Sequence, residues 1–362
     1  MNAPLKVVVA GSTFGQFYLA ALARLPEHFE LVAMIGKGSQ RSRDCAARHD
    51  VPLFTDPAQL PEDVDLGCVA VRSSVMGGAG TELSQALLTR GITVVQEHPV
   101  HHDDVAACLR TARTHGAGYQ LGDLYPQLPA VRRFVAAAHV ARAAGPITHV
   151  DAACSVQVAF PLVHILSRAL GALRPWRFSP ATSAGGPFDV VTGVVAGIPL
   201  ILRVHNEVDP TDPDNHIHLL HRITLGTASG SLTLTDTHGP VTWNPRLHIP
   251  DTVKDAFDFD DPRSAHLGEA GTTFLGPSTV PDYRHLLSRV WPAAIGADLL
   301  AAADDRSRAV RAPAHAQQLL SACRMWQDLT EALGYPTLRP GQTHNPLPVG
   351  ALTAAVARIG NN

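Results

Sequence analysis

From its start to about Gly122, this chain alternates short apolar runs with stretches whose apolar residues recur at helical spacing, and no other feature restricts its fold as much. Strands are predicted at 6–10, 31–35, 66–71, 92–95 and 118–121, and helices at 14–23, 41–49, 81–89 and 103–114. A strand followed each time by a helix returns to its sheet in the same direction. The result is a parallel, doubly wound sheet with helices on both faces. After Tyr125-Pro126 the texture changes. A helix at 130–144 leads into an alternating strand at 147–158. Runs at 200–206, 216–224, 231–236 and 241–243 are rich in β-branched residues and separated by Gly, Pro, Asn and Asp. That pattern predicts a largely antiparallel sheet. Residues 251–281 read as irregular, and helices close the chain at about 283–303 and 314–333.

The expectation is an α/β protein of two domains, 1–124 and 125–362, the second an α+β unit with a large open sheet. With 45% hydrophobic and 17% charged residues, a chain this long buries sizeable cores. A formal net charge of -3 argues against nucleic acid, whose phosphates call for a basic surface. Val7-Val8-Val9-Ala10 is too short for a membrane span or a secretory signal. The five cysteines are scattered with no CxxC pair, which suits reduced core thiols in the cytoplasm. An open sheet face in the second domain would suit a homodimer.

Gly11-Ser12-Thr13-Phe14-Gly15 follows the first strand and opens the first helix. Glycines there let the backbone approach a pyrophosphate, which the helix amino terminus then holds, although the spacing departs from GxGxxG. After the second strand, an NAD enzyme places an acid against the ribose hydroxyl. Here the segment reads Gly36-Lys37-Gly38-Ser39-Gln40-Arg41-Ser42-Arg43, with no carboxylate before Asp44. The hydroxyls of Ser39 and Ser42 and the guanidinium groups of Arg41 and Arg43 suit a 2′-phosphate, so NADPH is expected rather than NADH. Arg72-Ser73-Ser74 and Gly77-Gly78-Ala79-Gly80 line the cofactor's ribose or nicotinamide side, or else serve close helix–sheet packing.

Gln96-Glu97-His98-Pro99 follows the fourth predicted strand, where ligands of such a sheet lie. Glu97 faces the cofactor, and His98 reads as a proton donor beside a nicotinamide ring, since imidazole titrates near neutrality. Tyr125 stands at the seam between the domains. It is either a second donor acting through a relay or a packing tyrosine. His216, His218 and His221 are expected on one strand, the first two sharing a face. No cysteine or acid completes a metal tetrahedron with them, so no metal is expected. The acidic turn Asp209–Asn215, with two prolines, reads as rigid rather than calcium-binding.

Several of these strings, taken in order, resemble thiazolinyl imine reductases. They are Gly11-x-x-Phe14-Gly15-x-Phe17-Tyr18-Leu19, Gly38-Ser39-x-Arg41-Ser42-Arg43, Val71-Arg72-Ser73, Gln96-Glu97-His98-Pro99-Val100-His101 and Tyr125-Pro126. Asp209-Pro210-x-Asp212-Pro213-Asp214-Asn215, His221-Arg222-Ile223-Thr224-Leu225-Gly226 and Thr237-His238-Gly239-Pro240-Val241 continue the likeness. The resemblance implies membership of the glucose–fructose oxidoreductase and inositol dehydrogenase superfamily, with a Rossmann domain followed by an α/β domain with an open mixed sheet. It implies NADPH-dependent reduction of a thiazoline to a thiazolidine in siderophore biosynthesis of the yersiniabactin and pyochelin kind. The substrate would be thioester-linked to a carrier-protein domain of a nonribosomal peptide synthetase. His98 and Tyr125 match the family's proposed proton donors. Sugar-acting relatives carry Glu-Lys-Pro where this chain has Glu97-His98-Pro99. Gly122-Asp123-Leu124 departs from the Asn-containing segment of the relatives, which leaves the roles around Tyr125 open. A sugar or polyol dehydrogenase and a non-catalytic NADP(H) sensor are the alternatives.

Overall fold

Val7, Val8 and Val9 have no exposed surface, so both faces of the first strand are covered, as an unbroken apolar run requires. A computed structural model describes residues 3–73, 78–183, 185–212, 215–307, 313–340 and 347–359. Six strands form the first sheet: β1 (Leu5–Ala10), β2 (Phe29–Ile35), β3 (Leu53–Phe54), β4 (Leu66–Val69), β5 (Thr93–Glu97) and β6 (Tyr119–Gly122). All neighbours are parallel, in the order β3-β2-β1-β4-β5-β6. The helices between them are α1 (Gly15–Leu22), α2 (Gln40–Arg48), α3 (Gly80–Thr89) and α4 (His102–Thr114). Strand order reverses between β1 and β4, so a crevice opens past their carboxyl ends. The expected elements are there, and the short β3 is additional.

α5 (Pro129–Ala144) then leads into β7 (Ile147–Ser155), which is followed by α6 (Ala159–Leu170). The small strands β8 (Arg177–Phe178) and β9 (Thr182–Ser183) precede a hairpin of β10 (Phe188–Val195) and β11 (Ile198–His205). After β12 (Glu207–Val208) come β13 (His221–Thr227), β14 (Gly230–Leu234), β15 (Val241–Pro245) and β16 (Thr273–Phe274). Nine strands make a mixed sheet in the order β16-β15-β14-β13-β7-β11-β10-β8, with β9 on β10 and only β7 and β11 parallel. β12 pairs separately with β17 (Thr337–Leu338). α5 and α6 cover one face of the large sheet. Ile201 and Arg203 on β11 are exposed on the other.

Two of the elements absent from the sequence reading were hidden for physical reasons. α6 is Ala-Phe-Pro-Leu-Val-His-Ile-Leu-Ser-Arg-Ala-Leu, and ten of its twelve residues are buried. It follows directly on the strand-like run 147–158, and Pro161 in its first turn reads as a break rather than as part of a helix. The β10–β11 hairpin turns on Ala196 and Gly197, both at positive φ, without the Asn-Gly or Asp-Gly that usually marks such a turn. The final helical region is also less uniform than expected, with a π turn over Leu286–Val290 before the helix Trp291–Ser307. Tyr283–Asp304 is, among the described residues, long and apolar enough to cross a bilayer. In the fold its Ile295, Leu299 and Ala302 are buried, and the helix packs on α1, β5 and β6.

One expectation is corrected. Of the three histidines expected on a strand, only His221 lies there. β13 begins where β7 can pair with it, His221 opposite Cys154, and β7 ends one residue later at Ser155. His216 and His218 have no strand to bond with and lie in an irregular stretch; Pro213 and Asp214, part of the expected acidic turn, lie outside the described residues. His221 is wholly buried. Its Nε2 lies 2.9 Å from the Val158 carbonyl and its Nδ1 2.9 Å from the Thr237 hydroxyl. A carbonyl only accepts, so Nε2 carries the hydrogen and Nδ1 accepts from Thr237. Burial pushes this imidazole down to about 4, although the Val158 bond and the Asp123 and Asp236 charges oppose it.

Two consequences are measurable. Ile165, without exposed surface on α6, should cost about 2–5 kcal/mol on conversion to Ala. Urea unfolding at unchanged m-value checks this, and a loss below ~1 kcal/mol would show that α6 is not core. Because His221 binds its proton more weakly folded than unfolded, its contribution to stability is whole above about pH 6.5 and drains as the pH falls toward 4. His221→Gln, which cannot titrate, should flatten that decline by up to about 3 kcal/mol at pH 4. Parallel stability–pH curves for the two proteins would contradict it.

Candidate functional site

Gly11 leaves β1 at a φ of +99°, and a Cβ there would lie 2.4 Å from the Ala70 carbonyl oxygen at the end of β4. Only glycine lets the chain cross the crevice this closely. Phe14 stands at the cap position of α1, where its side chain has nothing to bond the first-turn amides. Those amides, at the positive end of the helix dipole, form an anion site. Gly15 is buried at the start of α1, whereas Thr13 is exposed. Phe14 packs on Phe17 and Trp291, with ring centroids 5.2 and 6.5 Å apart.

Arg41 reaches from α2 to the same loop, its Nη1 donating to Thr13 Oγ1 at 3.1 Å. Ser39 caps α2 by accepting from Ser42 N–H at 3.3 Å. Ser42 is buried, and its hydroxyl donates to the Ser39 carbonyl at 2.8 Å. Arg43 folds back on the Gly38 carbonyl and on Gln40. Of the four residues expected around a 2′-phosphate, only Arg41 is thus bonded to the loop, while Ser39, Ser42 and Arg43 hold α2's first turn together. Asp44 is turned away, accepting from Gln40 at 2.6 Å.

Arg72 is exposed, and its carbonyl accepts from Gly80 N–H at 2.8 Å. Ser73 is buried, and its hydroxyl donates to the Pro99 carbonyl at 2.8 Å. It therefore fixes the loop after β4 to the turn that carries His98. Gly78 and Gly80 come so close to residues 71–72 that a Cβ would strike their carbonyl oxygens at 2.1 and 2.3 Å, which is a packing role. Ser74 and Gly77 lie outside the described residues.

His98 follows β5 directly, its ring stacked on Phe160 of α6 with centroids 5.4 Å apart and 22° between planes. Its side chain is 8% exposed. Nε2 is 3.6 Å from Glu97 Oε1 and 3.9 Å from Asp123 Oδ1, while the buried Nδ1 has no partner. Glu97 Oε2 accepts from the Tyr18 hydroxyl of α1. Gly122 makes room for that pair, since a Cβ there would lie 2.1 Å from the Tyr18 oxygen. Asp123, 1% exposed, accepts from His164 Nδ1 at 2.9 Å and from Tyr125 N–H at 3.0 Å. Its own N–H donates to Asp298 Oδ2 at 3.0 Å.

Burial separates the protonation states of these groups. It pushes Glu97 well above the usual carboxylate range, with Asp123 and Asp298 adding to the effect and the Tyr18 bond opposing it. Asp298 is raised by burial and by Asp123, against the Asp123 and Gln127 hydrogen bonds. Burial would raise Asp123 too, but the His164 bond and the nearby imidazoles outweigh it and hold that carboxyl low. Burial lowers His98, and Asp123 opposes while His164 assists.

Tyr125 is 7% exposed at the seam, its ring edge-on to His221 at 5.2 Å and to Trp291 at 6.2 Å. The His98 ring lies 6.2 Å away. His98 and Tyr125 are therefore brought to one buried pocket, with Glu97 between His98 and α1. Sequence reasoning missed His164 and Asp298, and saw Asp123 only as a departure. Each of the first two is a titratable residue inside an apolar helix, and such residues are rarely buried unless paired.

Sequence profiles match the chain twice. The oxidoreductase family with an NAD-binding Rossmann fold matches residues 5–123, and the C-terminal domain of Irp3-like thiazolinyl imine reductases matches residues 146–244. Among curated proteins no sequence matches. A 3-ketoreductase from Actinomadura kijaniata, solved with NADP and TDP-benzene, is similar at 14% identity and a TM-score of 0.66, over 93% of this chain and 100% of that one. An oxidoreductase from Agrobacterium radiobacter, in complex with NAD+, L-tartaric acid and magnesium, gives 12% identity and 0.64 over 89% and 94%. A dehydrogenase from Chromobacterium violaceum gives 16% and 0.65 over 99% and 100%. At these identities the likeness is one of fold. The chain belongs to the oxidoreductase family with an NAD-binding Rossmann fold, as a member whose second domain is of the Irp3-like thiazolinyl imine reductase type.

Proposed function

We propose that this protein reduces a thiazoline C=N to a thiazolidine with NADPH, on an intermediate held as a thioester by a carrier-protein domain of a nonribosomal peptide synthetase. The observation that carries this reading is the His98 imidazole, with one nitrogen toward two carboxyl groups and the other buried without a partner. The Irp3-like match of the second domain supports it. Such a group is suited to protonating a ring nitrogen, and it stands where sugar-acting relatives carry lysine.

The residues present fit the cofactor. Gly11 leaves the close approach a pyrophosphate needs, and Arg41 sits beside the loop where a 2′-phosphate would lie. When bound, the reduced nicotinamide supplies hydride to the C=N carbon. The chain must then place a proton on nitrogen. His98 Nδ1 is the group that would deliver it, and Nε2 faces Glu97, whose carboxyl burial pushes toward the protonated form. Asp123 holds the cluster's negative charge and fixes His164 and the Tyr125 backbone. Tyr125 closes the pocket on the second-domain side and would orient the ring or relay the proton. Hydride plus proton balances the reduction. The same reading places the enzyme in the cytoplasm beside the synthetase, with a second copy packed on the open sheet face around Ile201 and Arg203.

The direct test is incubation with NADPH and a thiazolinyl thioester mimic, with a mass gain of two hydrogens expected. His98→Ala should lower kcat by about 10²–10⁴-fold and Tyr125→Phe should lower it less, with NADPH affinity nearly unchanged. Parent rates in both variants, or turnover of inositols or hexoses with NADP+ in place of the thioester, would end the proposal. Arg41→Ala should weaken NADPH binding by about 10- to 100-fold and leave NADH binding alone. A parent protein that prefers NADH would remove the phosphate assignment.

A further inference from the structure

A second cluster of imidazoles lies where β11 ends, two strands along the large sheet from His221. β11 ends on His205, β12 carries Glu207, and the irregular stretch before β13 brings back His216. Glu207 Oε1 accepts from Arg339 Nε at 3.1 Å. That bond turns Oε2 toward the rings, 3.9 Å from His205 Nε2 and 3.5 Å from His216 Nε2. All three ligand atoms lie within 4.8 Å of one another. A tetrahedral ion with bonds of about 2.0–2.1 Å sets its ligands roughly 3.4 Å apart, so Glu207 stands close to ligand spacing from both imidazoles and the two rings need draw together by at most about 1.4 Å. His205 has no exposed surface, yet neither of its nitrogens has a hydrogen-bond partner, and the buried His216 Nε2 has none either. Buried polar atoms are ordinarily satisfied, which leaves these waiting for a ligand.

We propose that His205, Glu207 and His216 bind one divalent transition-metal ion of the zinc type. Two imidazoles and a carboxylate suit zinc or cobalt and disfavour magnesium, which takes oxygen ligands. The fourth position opens on a cavity of about 750 Å³ that His218 and Arg339 also line. His218, its ring 4.4 Å from that of His205, can fill it, or water can. Arg339 acts as the outer partner that orients Glu207. Bound there, the ion ties the stretch ahead of β13 to the end of β11. The site was not expected from sequence because His205 and Glu207 stand apart from the His216–His221 group and meet it only through the fold.

The test uses full-length, untagged protein treated with chelator and titrated with Co2+ and then Zn2+. One equivalent of Co2+ should give the strong visible bands of a four- or five-coordinate site, Zn2+ should displace it, and Tm should rise with either ion. Glu207→Gln and His216→Ala should each weaken uptake at least 100-fold, with near-UV circular dichroism reporting their folding, while the exposed His115→Ala should keep the full equivalent. If His216→Ala does not fold, Glu207→Gln decides alone. Absence of a stoichiometric equivalent, equal uptake by Glu207→Gln, or a rise in Tm with inorganic phosphate and none with metal would overturn the proposal.

Discussion

A carboxylate removed from water is unstable unless opposite charge and hydrogen bonds meet it, and Asp123 finds those partners on both sides of the domain boundary. It leaves the end of β6 and accepts from His164 on α6 and from the backbone of Tyr125, while its own amide bonds Asp298 on the helix Trp291–Ser307. One buried charge thus joins the first sheet, a covering helix of the second domain and the returning C-terminal helix. His98 depends on that junction. It follows β5, whose Glu97 is in register with Gly122 beside Asp123, and its ring rests on Phe160, one helical turn before His164.

Where a hydrophobic period was present, the sequence was legible. The five predicted strands of the first domain and the helices after them follow from runs such as Val7-Val8-Val9, which only a two-sided burial explains. His98 and Tyr125 were legible for a related reason. The fold puts the carboxyl end of β5 and the exit from β6 at one crevice, so ionisable residues there converge. α6 was hidden because it follows a strand-like run directly and carries Pro161 in its first turn, and His164 went with it. Side-chain commitment was hidden too. Ser39 and Ser42 look available in sequence, yet both hydroxyls are committed to the first turn of α2.

At the cofactor end, few contacts bear on the proposed preference for NADPH. The loop after β2 offers no acid to a ribose hydroxyl, since Asp44 is turned to Gln40. It offers Arg41, already anchored on Thr13 at the mouth of the anion site. A guanidinium held by one hydroxyl keeps further N–H groups for phosphate oxygens. Arg43, folded on Gly38 and Gln40, has less freedom to do so.

The carboxyl groups around His98 explain why a histidine suits this site. Glu97, Asp123 and Asp298 are all buried, and three negative charges in that volume would repel strongly. Burial and mutual repulsion raise Glu97 and Asp298, and the imidazoles hold Asp123 low. The raised carboxyls thus stand next to an imidazole whose proton affinity burial lowers. A lysine at position 98, when charged, would draw Glu97 toward ionisation. Histidine there instead sets the proposed donor beside a carboxyl that burial pushes toward its protonated form.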